Sequence, residues 1–353
     1  MKTATITWIS HDNCGTMLQA WALQNVIKSL GYENRIIDDR KIVTPNPFLR
    51  LLGTIKHLFV DRFDECHQCF LEFKKYFLDI ESSYNSFADI NEEYDIVICG
   101  SDQIWYPRNK IKPYYFANFF QKKKISYAAS TGTNKCSLEY ANIVKVFLKD
   151  FSHISVREEE GAIMLSSILN KEIDVVLDPT LLVNTDEWDR LVNHHDDLSD
   201  YVFCYFLTPN ERYLDYARNF AAQIDKKILF FDTGIYKSTS IVHKNILKGG
   251  PREFLSYIKM SHSVLTDSYH ASIFSILYHK EFLTFLRFRD SDKINQNTRV
   301  YNLFEKIGVS NRLVTFDRIN VAKIEPVDYQ RVDEVIRFHR RSSLNYLSNA
   351  LAQ

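Results

Sequence analysis

The feature that most constrains the fold is a repeated alternation of short apolar runs with amphipathic stretches. Residues 3–9, 34–39 and 95–99 are apolar runs of strand length, and segment 17–30 has apolar residues at helical spacing. In the same half, the other predicted strands are 124–129, 153–156 and 174–177, and the other predicted helices are 64–78, 137–150 and 158–169. This β-then-α order predicts a mostly parallel sheet that is covered on both faces.

The same alternation restarts near residue 200. The second set of predicted strands is 201–207, 226–232, 263–268, 281–286 and 313–316, and the helices between them are 210–224, 252–260, 269–278 and 299–307. A long amphipathic helix follows over roughly 330–350. We therefore predict an α/β fold of two Rossmann-like domains that face a cleft. The predicted N-terminal domain is 1–182, the C-terminal domain is 183–328, and the helix within 329–353 packs back on the first domain.

Composition excludes several classes of protein. A chain of 353 residues suits two domains. Lys plus Arg and Asp plus Glu are both 44, so the chain lacks the basic field of a nucleic-acid binder. No apolar run reaches the ~20 residues that span a bilayer, and the first residues resemble a strand rather than a signal peptide. We expect a cytoplasmic protein.

Two short segments, a basic run and a CxxC, each have more than one interpretation. The basic run 122–124 could bring the chain to the inner face of a membrane as a peripheral contact, although a solvated charged loop is the preferred interpretation. The six cysteines are scattered, which indicates reduced thiols. Cys66 and Cys69 form a single CxxC without a second pair, so we predict no metal site.

Polar residues follow several predicted strands, where parallel sheets bind their ligands. These residues are Asn13 and Gly15, then Ser101, Asp102 and Gln103, then Ser130, Arg157, Asp267, Ser268 and His270. Each has an ordinary structural explanation as well: Asn13 could cap a helix, Arg157 could pair with Glu158 or Glu159, and His270 could be a plain first-turn histidine. The chain has no GxGxxG, P-loop, HExxH or GxSxG motif.

The segments that carry these residues resemble the polysaccharide pyruvyl transferase family. They read "NCGTMLQAWALQ", "DIVICGSDQIWYP", "ISYAAS", "ISVREEEG", "VLDPTLLV" and "VLTDSYHASIFSILYHKEF". The resemblance as a whole runs from about residue 11 to about residue 312. The resemblance implies a fold similar to the GT-B glycosyltransferases. It also implies an enzyme that transfers the pyruvyl group of phosphoenolpyruvate to a sugar of a surface polysaccharide, or to its lipid-linked precursor, forming a ketal and releasing phosphate. Phosphoenolpyruvate would be a substrate, and no cofactor is expected.

The resemblance also implies roles for individual residues. His270 matches the motif histidine and Arg157 the motif arginine, so both are expected in catalysis, with His270 moving protons and Arg157 binding the donor. The other expected donor-binding residues are Ser268, Arg299, Asn13 and Gly15, and the expected acceptor-binding residues are Ser101, Asp102, Gln103 and Ser130. In many relatives an arginine stands at the position of Ser268, so one charge that binds the donor is either missing here or supplied by Arg287 or Arg299. Asp102 could equally be a residue that holds its loop in place.

Two other functions stay open at this stage. One is a GT-B glycosyltransferase that uses a nucleotide sugar, for which Glu253 or Asp267 could bind the donor ribose. The other is a non-catalytic protein that binds a sugar or a phosphate on the same scaffold, which the serine at position 268 would permit.

Overall fold

The chain forms two compact units. The computed structural model describes residues 1–38, 65–84, 86–107, 111–193, 198–234, 245–292, 295–316, 319 and 325–352. The first unit comprises Met1–Val183 together with Arg337–Gln353, and the second comprises Asn184–Ile336. The chain therefore enters the second unit once and returns to the first for its last residues.

The first unit is built on a six-stranded sheet with the order β3-β2-β1-β4-β5-β6, in which every pair is parallel. Its strands are β1 (Lys2–Ile6), β2 (Glu33–Ile37), β3 (Ile80–Glu81), β4 (Ile96–Cys99), β5 (Lys123–Ser126) and β6 (Phe151–His153). A separate parallel pair is formed by β7 (Ser155–Val156) and β8 (Asp174–Val175). The helices are α1 (Cys14–Ser29), α2 (Glu65–Phe77), α3 (Phe87–Glu93), α4 (Leu138–Leu148) and α5 (Glu159–Leu169).

The second unit repeats this plan. Its parallel sheet has the order β11-β10-β9-β12-β13-β14. The strands are β9 (Tyr201–Tyr205), β10 (Lys227–Phe231), β11 (Ile246–Leu247), β12 (Ser263–Thr266), β13 (Glu281–Phe285) and β14 (Leu313–Val314). The helices are α6 (Thr185–Asp189), α7 (Glu211–Gln223), α8 (Pro251–Met260), α9 (Tyr269–Leu277), α10 (Thr298–Ile307) and the start of α11 (Tyr329–Ala352). Two parallel Rossmann-like sheets confirm the predicted α/β architecture.

The central strands explain why both sheets are stable. All residues of β4, β9 and β12 are buried, as continuous apolar runs in a doubly covered parallel sheet should be.

Asn13 is the N-cap of α1, and its side chain accepts a hydrogen bond from the Thr16 amide at 3.0 Å. The helix cap expected for Asn13 is therefore present.

The C-terminal part of α11 belongs to the first unit and is hydrogen-bonded to it. Ser343 accepts from the Leu177 amide at 3.0 Å, and the Tyr346 hydroxyl donates to the Ser126 carbonyl at 3.0 Å. The Arg340 side chain donates from Nε to the Leu181 carbonyl at 2.6 Å. Apolar packing also holds this helix in place, because Leu347 on the same helix is fully buried.

Several local expectations were wrong. The basic run at 122–124 is not a solvated loop: Lys123 and Lys124 lie in β5, and Lys124 is buried. The Nζ of Lys122 donates to the Tyr94 carbonyl at 2.8 Å. The strand predicted over 124–129 ends at Ser126, because Ala128 adopts a left-handed conformation with φ 51°.

Within the described ranges, no helix combines the length and apolarity that crossing a bilayer requires.

Candidate functional site

Each sheet has one topological switch point, and the polar motifs lie at both. In the first unit, β1 lies between β2 on one side and β4 on the other. In the second unit β9 has the same position between β10 and β12. Ligands of open α/β sheets bind beyond the carboxyl ends of the strands at such points. The geometry thus gives each unit its own candidate site.

In the first unit, Asp102 organises the loop that follows β4. Its φ is 68°, and the residue is buried. Oδ2 accepts from the Thr16 hydroxyl at 2.8 Å, Oδ1 accepts from the Gln103 amide at 2.8 Å, and its carbonyl accepts from the Ser130 amide at 2.8 Å. These bonds give Asp102 the alternative role considered from the sequence, that of holding the loop. Its role in acceptor binding stays a prediction.

The neighbouring residues show why the loop has this composition. Gly100 has a φ of 135°, and a Cβ at this position would lie 2.0 Å from the Tyr127 carbonyl oxygen, so only glycine fits. The Ser101 hydroxyl donates to the Ala128 carbonyl at 3.1 Å. Trp105 is buried under the loop and donates from Nε1 to the Tyr115 carbonyl at 2.9 Å. Ser101 and Gln103 are buried too, and their contacts with an acceptor remain predictions.

Arg157 is buried among carboxyl groups. Its Nη1 lies 2.5 Å from Asp178, its Nε lies 3.3 Å from Glu158, and its Nη2 lies 4.0 Å from Asp102. Ser130 joins the same network, because its hydroxyl donates to Glu158 at 2.5 Å. An anionic donor that approached Arg157 would meet these carboxyl groups, so the geometry favours a role in which Arg157 positions Asp102, Glu158 and Asp178. Donor binding by Arg157 stays a prediction.

The helix that follows β1 carries the remaining predicted residues of this unit. The Asn13 side chain is engaged in capping α1, and Gly15 is buried in its first turn. Asp12 contacts Nδ1 of His67 and lies 3.5 Å from Nζ of Lys74. Neither Asn13 nor Gly15 has a contact that tests donor binding.

In the second unit, Ser268 and His270 lie where β12 leads into α9. Ser268 is the N-cap, and its hydroxyl accepts from the Ala271 amide at 3.4 Å. His270 is in the first turn and is buried, and its ring meets that of Tyr269 edge-to-face at 5.3 Å. The Arg299 guanidinium lies 5.7 Å from the centroid of the Tyr269 ring. The fold therefore brings Arg299 into the neighbourhood of His270, although 29 positions separate them in the sequence.

Asp267 completes this cluster at the switch point. Its Oδ1 accepts from the Leu207 amide, just beyond β9, at 2.6 Å, and the backbone and side chain of Thr208 also hydrogen-bond to the carboxyl group. Burial raises the pKa of Asp267 from 3.8 to about 6, although the nearby charge of Arg287 and the Leu207 N–H favour the ionised form. Arg287 itself donates from Nε to the Thr208 hydroxyl at 3.0 Å. Two arginines and a histidine thus lie around one helix N-terminus.

Comparison with known families identifies the chain. The family described as polysaccharide pyruvyl transferase matches residues 13–287, which include the polar motifs at both switch points. The chain belongs to this family. A pyruvyl transferase family member is expected to be a transferase that acts on a sugar. No curated protein gives a significant match.

Solved structures confirm the GT-B-like fold of this pyruvyl transferase family member. A protein from Listeria monocytogenes assigned as a UDP-N-acetylglucosamine 2-epimerase is 12% identical, with a TM-score of 0.51, over 99% of this chain and 90% of that chain. MnaA from S. aureus, solved with UDP, has the same identity and TM-score, over 99% of this chain and 91% of that chain. At such low identity the similarity shows the fold alone.

Some of the side chains that contact Arg157 and Asp102 could not be identified from the sequence motifs. Glu158 and Asp178 were part of the quoted motifs, yet their contacts with Arg157 depend on strands and loops that only the fold brings together. Thr16 had no signal at all, because a threonine in a helix is unremarkable until its hydroxyl meets Asp102. Among the described residues, no group of three or more side chains could hold a metal ion, and the metal-free state of Cys66 and Cys69 stays a prediction.

Proposed function

We propose that this protein transfers the pyruvyl group of phosphoenolpyruvate to two hydroxyl groups of a sugar. The products would be a cyclic ketal and inorganic phosphate. The observation that carries the proposal is the match of the pyruvyl transferase family over 13–287, which includes Ser268, His270 and Arg287 in the second unit. The sugar would belong to a surface polysaccharide or to its lipid-linked precursor.

The donor phosphate would bind at the N-terminus of α9. The first amides of a helix have no acceptor within the helix and attract anions. Ser268 adds a hydroxyl group there, and Arg299 adds a guanidinium beside Tyr269. Arg287 lies close enough to influence the pKa of Asp267, so it adds positive charge to the same cluster. These two arginines would replace the arginine that many relatives carry at the position of Ser268.

His270 would handle a proton of the attacking sugar. A proton from water or from an acidic group adds to the methylene carbon of phosphoenolpyruvate and gives an electron-poor carbon, which a sugar hydroxyl attacks as it loses its proton to His270. A second hydroxyl then attacks the same carbon, the bond to the phosphate oxygen breaks, and phosphate leaves with the bonding electron pair and takes up the proton of that hydroxyl. His270 returns the first proton to water. A neutral imidazole can accept the first proton. The reaction as written needs no cofactor and no metal ion.

The first unit would hold the acceptor sugar. Ser101, Asp102, Gln103 and Ser130 line the loops beyond β4 and β5, and this role for them is retained as a proposal. The expectation that the reaction takes place in the cytoplasm is retained as part of the proposal. A lipid-linked acceptor would require contact with the inner face of the membrane, for which the lysine run 122–124 now offers little, because Lys124 is buried.

A donor-consumption assay tests the proposal. The protein is incubated with methyl glycosides and with either phosphoenolpyruvate, UDP-galactose or UDP-N-acetylglucosamine. We expect phosphate release only with phosphoenolpyruvate, and a glycoside whose mass has increased by pyruvate minus water. Glycosyl transfer from a UDP-sugar, or release of phosphate without a change in the mass of any glycoside, would contradict the proposal.

A further inference from the structure

Three residues at the carboxyl edge of the second sheet are joined by hydrogen bonds. Thr208, Asp267 and Arg287 follow β9, β12 and β13, which are neighbouring parallel strands. Nε of Arg287 donates to the Thr208 hydroxyl at 3.0 Å. The backbone and the side chain of Thr208 in turn hydrogen-bond to the Asp267 carboxyl group. The Thr208 hydroxyl therefore accepts from the arginine and donates to the carboxyl group.

These bonds fix where the Arg287 side chain lies. β12 stands between β9 and β13 in the sheet, and neighbouring strands are about 4.8 Å apart. Thr208 meets Asp267 directly beyond β12, and Arg287 reaches Thr208 from the side of β13. The guanidinium is therefore held at the carboxyl end of β12, where that strand leads into α9 and its N-cap Ser268.

The bond to Thr208 leaves one edge of the guanidinium open. Arg287 is half-buried, and neither of its Nη atoms forms a hydrogen bond with any residue that the structure describes. Since Nε is occupied, the open edge consists of the two Nη groups, whose N–H bonds match two oxygens of a carboxylate or a phosphate. An arginine usually loses much rotamer freedom when it binds a ligand, and the bond to Thr208 orders this one beforehand.

We propose that Thr208 and Asp267 are positioning residues, which hold Arg287 ready to bind an anionic group of the donor. Asp267 fixes the backbone and hydroxyl of Thr208, and that hydroxyl orients Nε of Arg287. The ligand is a small molecule with a carboxylate or a phosphate, and phosphoenolpyruvate has both. This inference rests on the proposed function and adds Thr208, which no sequence motif marks. It also gives Arg287 a support that differs from that of Arg299, whose guanidinium lies over the Tyr269 ring.

The orientation of Arg287 can be measured without a ligand. Heteronuclear NMR of the full-length protein follows the solvent exchange of its Nε–H proton, and the signal is assigned from its absence in Arg287→Gln. We expect protection in the wild type, loss of protection in Thr208→Val, and protection again in Thr208→Ser, which retains the hydroxyl. Thr233→Val is the matched control, because the Thr233 hydroxyl also lies beyond a strand of this sheet but donates to the Phe206 carbonyl at 2.8 Å.

Isothermal titration calorimetry with phosphoenolpyruvate and, separately, with inorganic phosphate tests the consequence for binding. Affinity should fall about five- to tenfold in Thr208→Val, as the loss of one hydrogen bond predicts, and should stay near the wild-type value in Thr208→Ser and Thr233→Val. Because Thr208 acts through Arg287, Thr208→Val should add nothing to the loss caused by Arg287→Gln. Equal losses from Thr208→Val in both backgrounds would show that this threonine acts only through the fold, which would overturn the inference.

Three further results would overturn the inference: protection of the Nε–H proton is unchanged in Thr208→Val, Thr208→Val binds the anions as tightly as the wild type does, or the wild type binds neither anion. The failure of the proposed function would look different. If the wild type binds inorganic phosphate but not phosphoenolpyruvate, and Thr208→Val weakens phosphate binding, pyruvyl transfer is refuted and the positioning of Arg287 stands.

Discussion

Asp267 and His270 are three positions apart, just beyond the same strand, and have different roles. Asp267 holds the end of β9 through the Leu207 amide, at the cost of burying a carboxyl group. His270 is placed in the first turn of α9, where its imidazole can take part in proton transfer. A buried acid with a raised pKa is common at functional sites, where stability is given up for chemistry.

The first prediction concerns His270. His270→Ala should lower the turnover of pyruvyl transfer by ~10²–10⁴-fold, the range for a general acid or base. His270→Gln should be almost as slow, because it keeps size but cannot accept the proton, while the dissociation constant for phosphoenolpyruvate stays close to that of the wild type. His262→Gln, an exposed histidine in the same unit, is the matched control. Near wild-type turnover in His270→Gln would show that the ring only positions the substrate.

The second prediction concerns Asp267 and the dependence of stability on pH. A carboxyl group whose pKa rises from 3.8 to about 6 on folding favours the folded state at low pH, and this contribution is lost as pH rises through 6. The loss amounts to ~3 kcal/mol at most, at about 1.4 kcal/mol per pH unit. Asp267→Asn has no such group, so its free energy of unfolding relative to the wild type should increase between pH 4 and pH 8. Urea denaturation at several pH values measures this difference, and a constant difference would contradict a raised pKa.

At the scale of elements, Arg157 connects three parts of the first unit. It follows β7, Asp178 follows β8, and Asp102 follows β4. Removal of one partner from a buried ionic network leaves the others buried and uncompensated, which typically costs ~3–5 kcal/mol. The network therefore shapes the carboxyl edge of the sheet on which the proposed acceptor site depends.

A double-mutant cycle tests this role of Arg157. Arg157→Ala should lower the free energy of unfolding by ~3–5 kcal/mol, and adding Asp178→Asn should cost less than the sum of the two single substitutions. If Arg157 binds the donor instead, the result should differ. Arg157→Ala would then keep the stability of the unliganded protein but lose most of the thermal stabilisation by phosphoenolpyruvate. Measuring the melting temperature with and without the donor separates the two.

Element prediction from the sequence succeeded where apolar periodicity was strong. Strand β12 and helix α9 lie within one residue or two of the predicted ranges, because a buried apolar run and a capping serine define both. Helix α3 was missed, since only Ile90 of its seven residues is buried and no apolar stripe marks it. The strand predicted through Ala129 failed because nothing in "SYAAS" signals the left-handed conformation of Ala128. Side-chain partners such as Thr16 for Asp102 depend on tertiary packing and leave no local pattern.

At the scale of the whole molecule, the last helix returns the chain to the unit in which it began. Residues 337–353 belong to the first unit, and Leu347, Ala350 and Leu351 are fully buried. Side chains of the helix also hydrogen-bond to the backbone of Leu177 and Leu181, within the motif that contains Asp178. Integrity of the first unit should therefore depend on residues far from it in the sequence.

Substitutions on α11 test this dependence. Leu347→Asp places an unpaired charge in a buried site and should lower the melting temperature by many degrees, or prevent folding. Phe338→Asp is the matched control on the same helix, because Phe338 is 69% exposed, and it should leave the melting temperature within a few degrees of the wild type. Differential scanning calorimetry of both variants makes the comparison. Equal effects of the two substitutions would show that the helix does not stabilise the first unit as described.

Binding of phosphoenolpyruvate to the purified protein tests the central claim most directly, because it requires no knowledge of the acceptor. Isothermal titration calorimetry should show phosphoenolpyruvate bound by the wild type, with affinity weakened about tenfold or more in Arg299→Gln, as expected for the loss of one charge-assisted contact. Arg218→Gln, which removes a surface cation on α7, should bind as the wild type does. Binding of UDP-N-acetylglucosamine with no detectable binding of phosphoenolpyruvate would contradict the account.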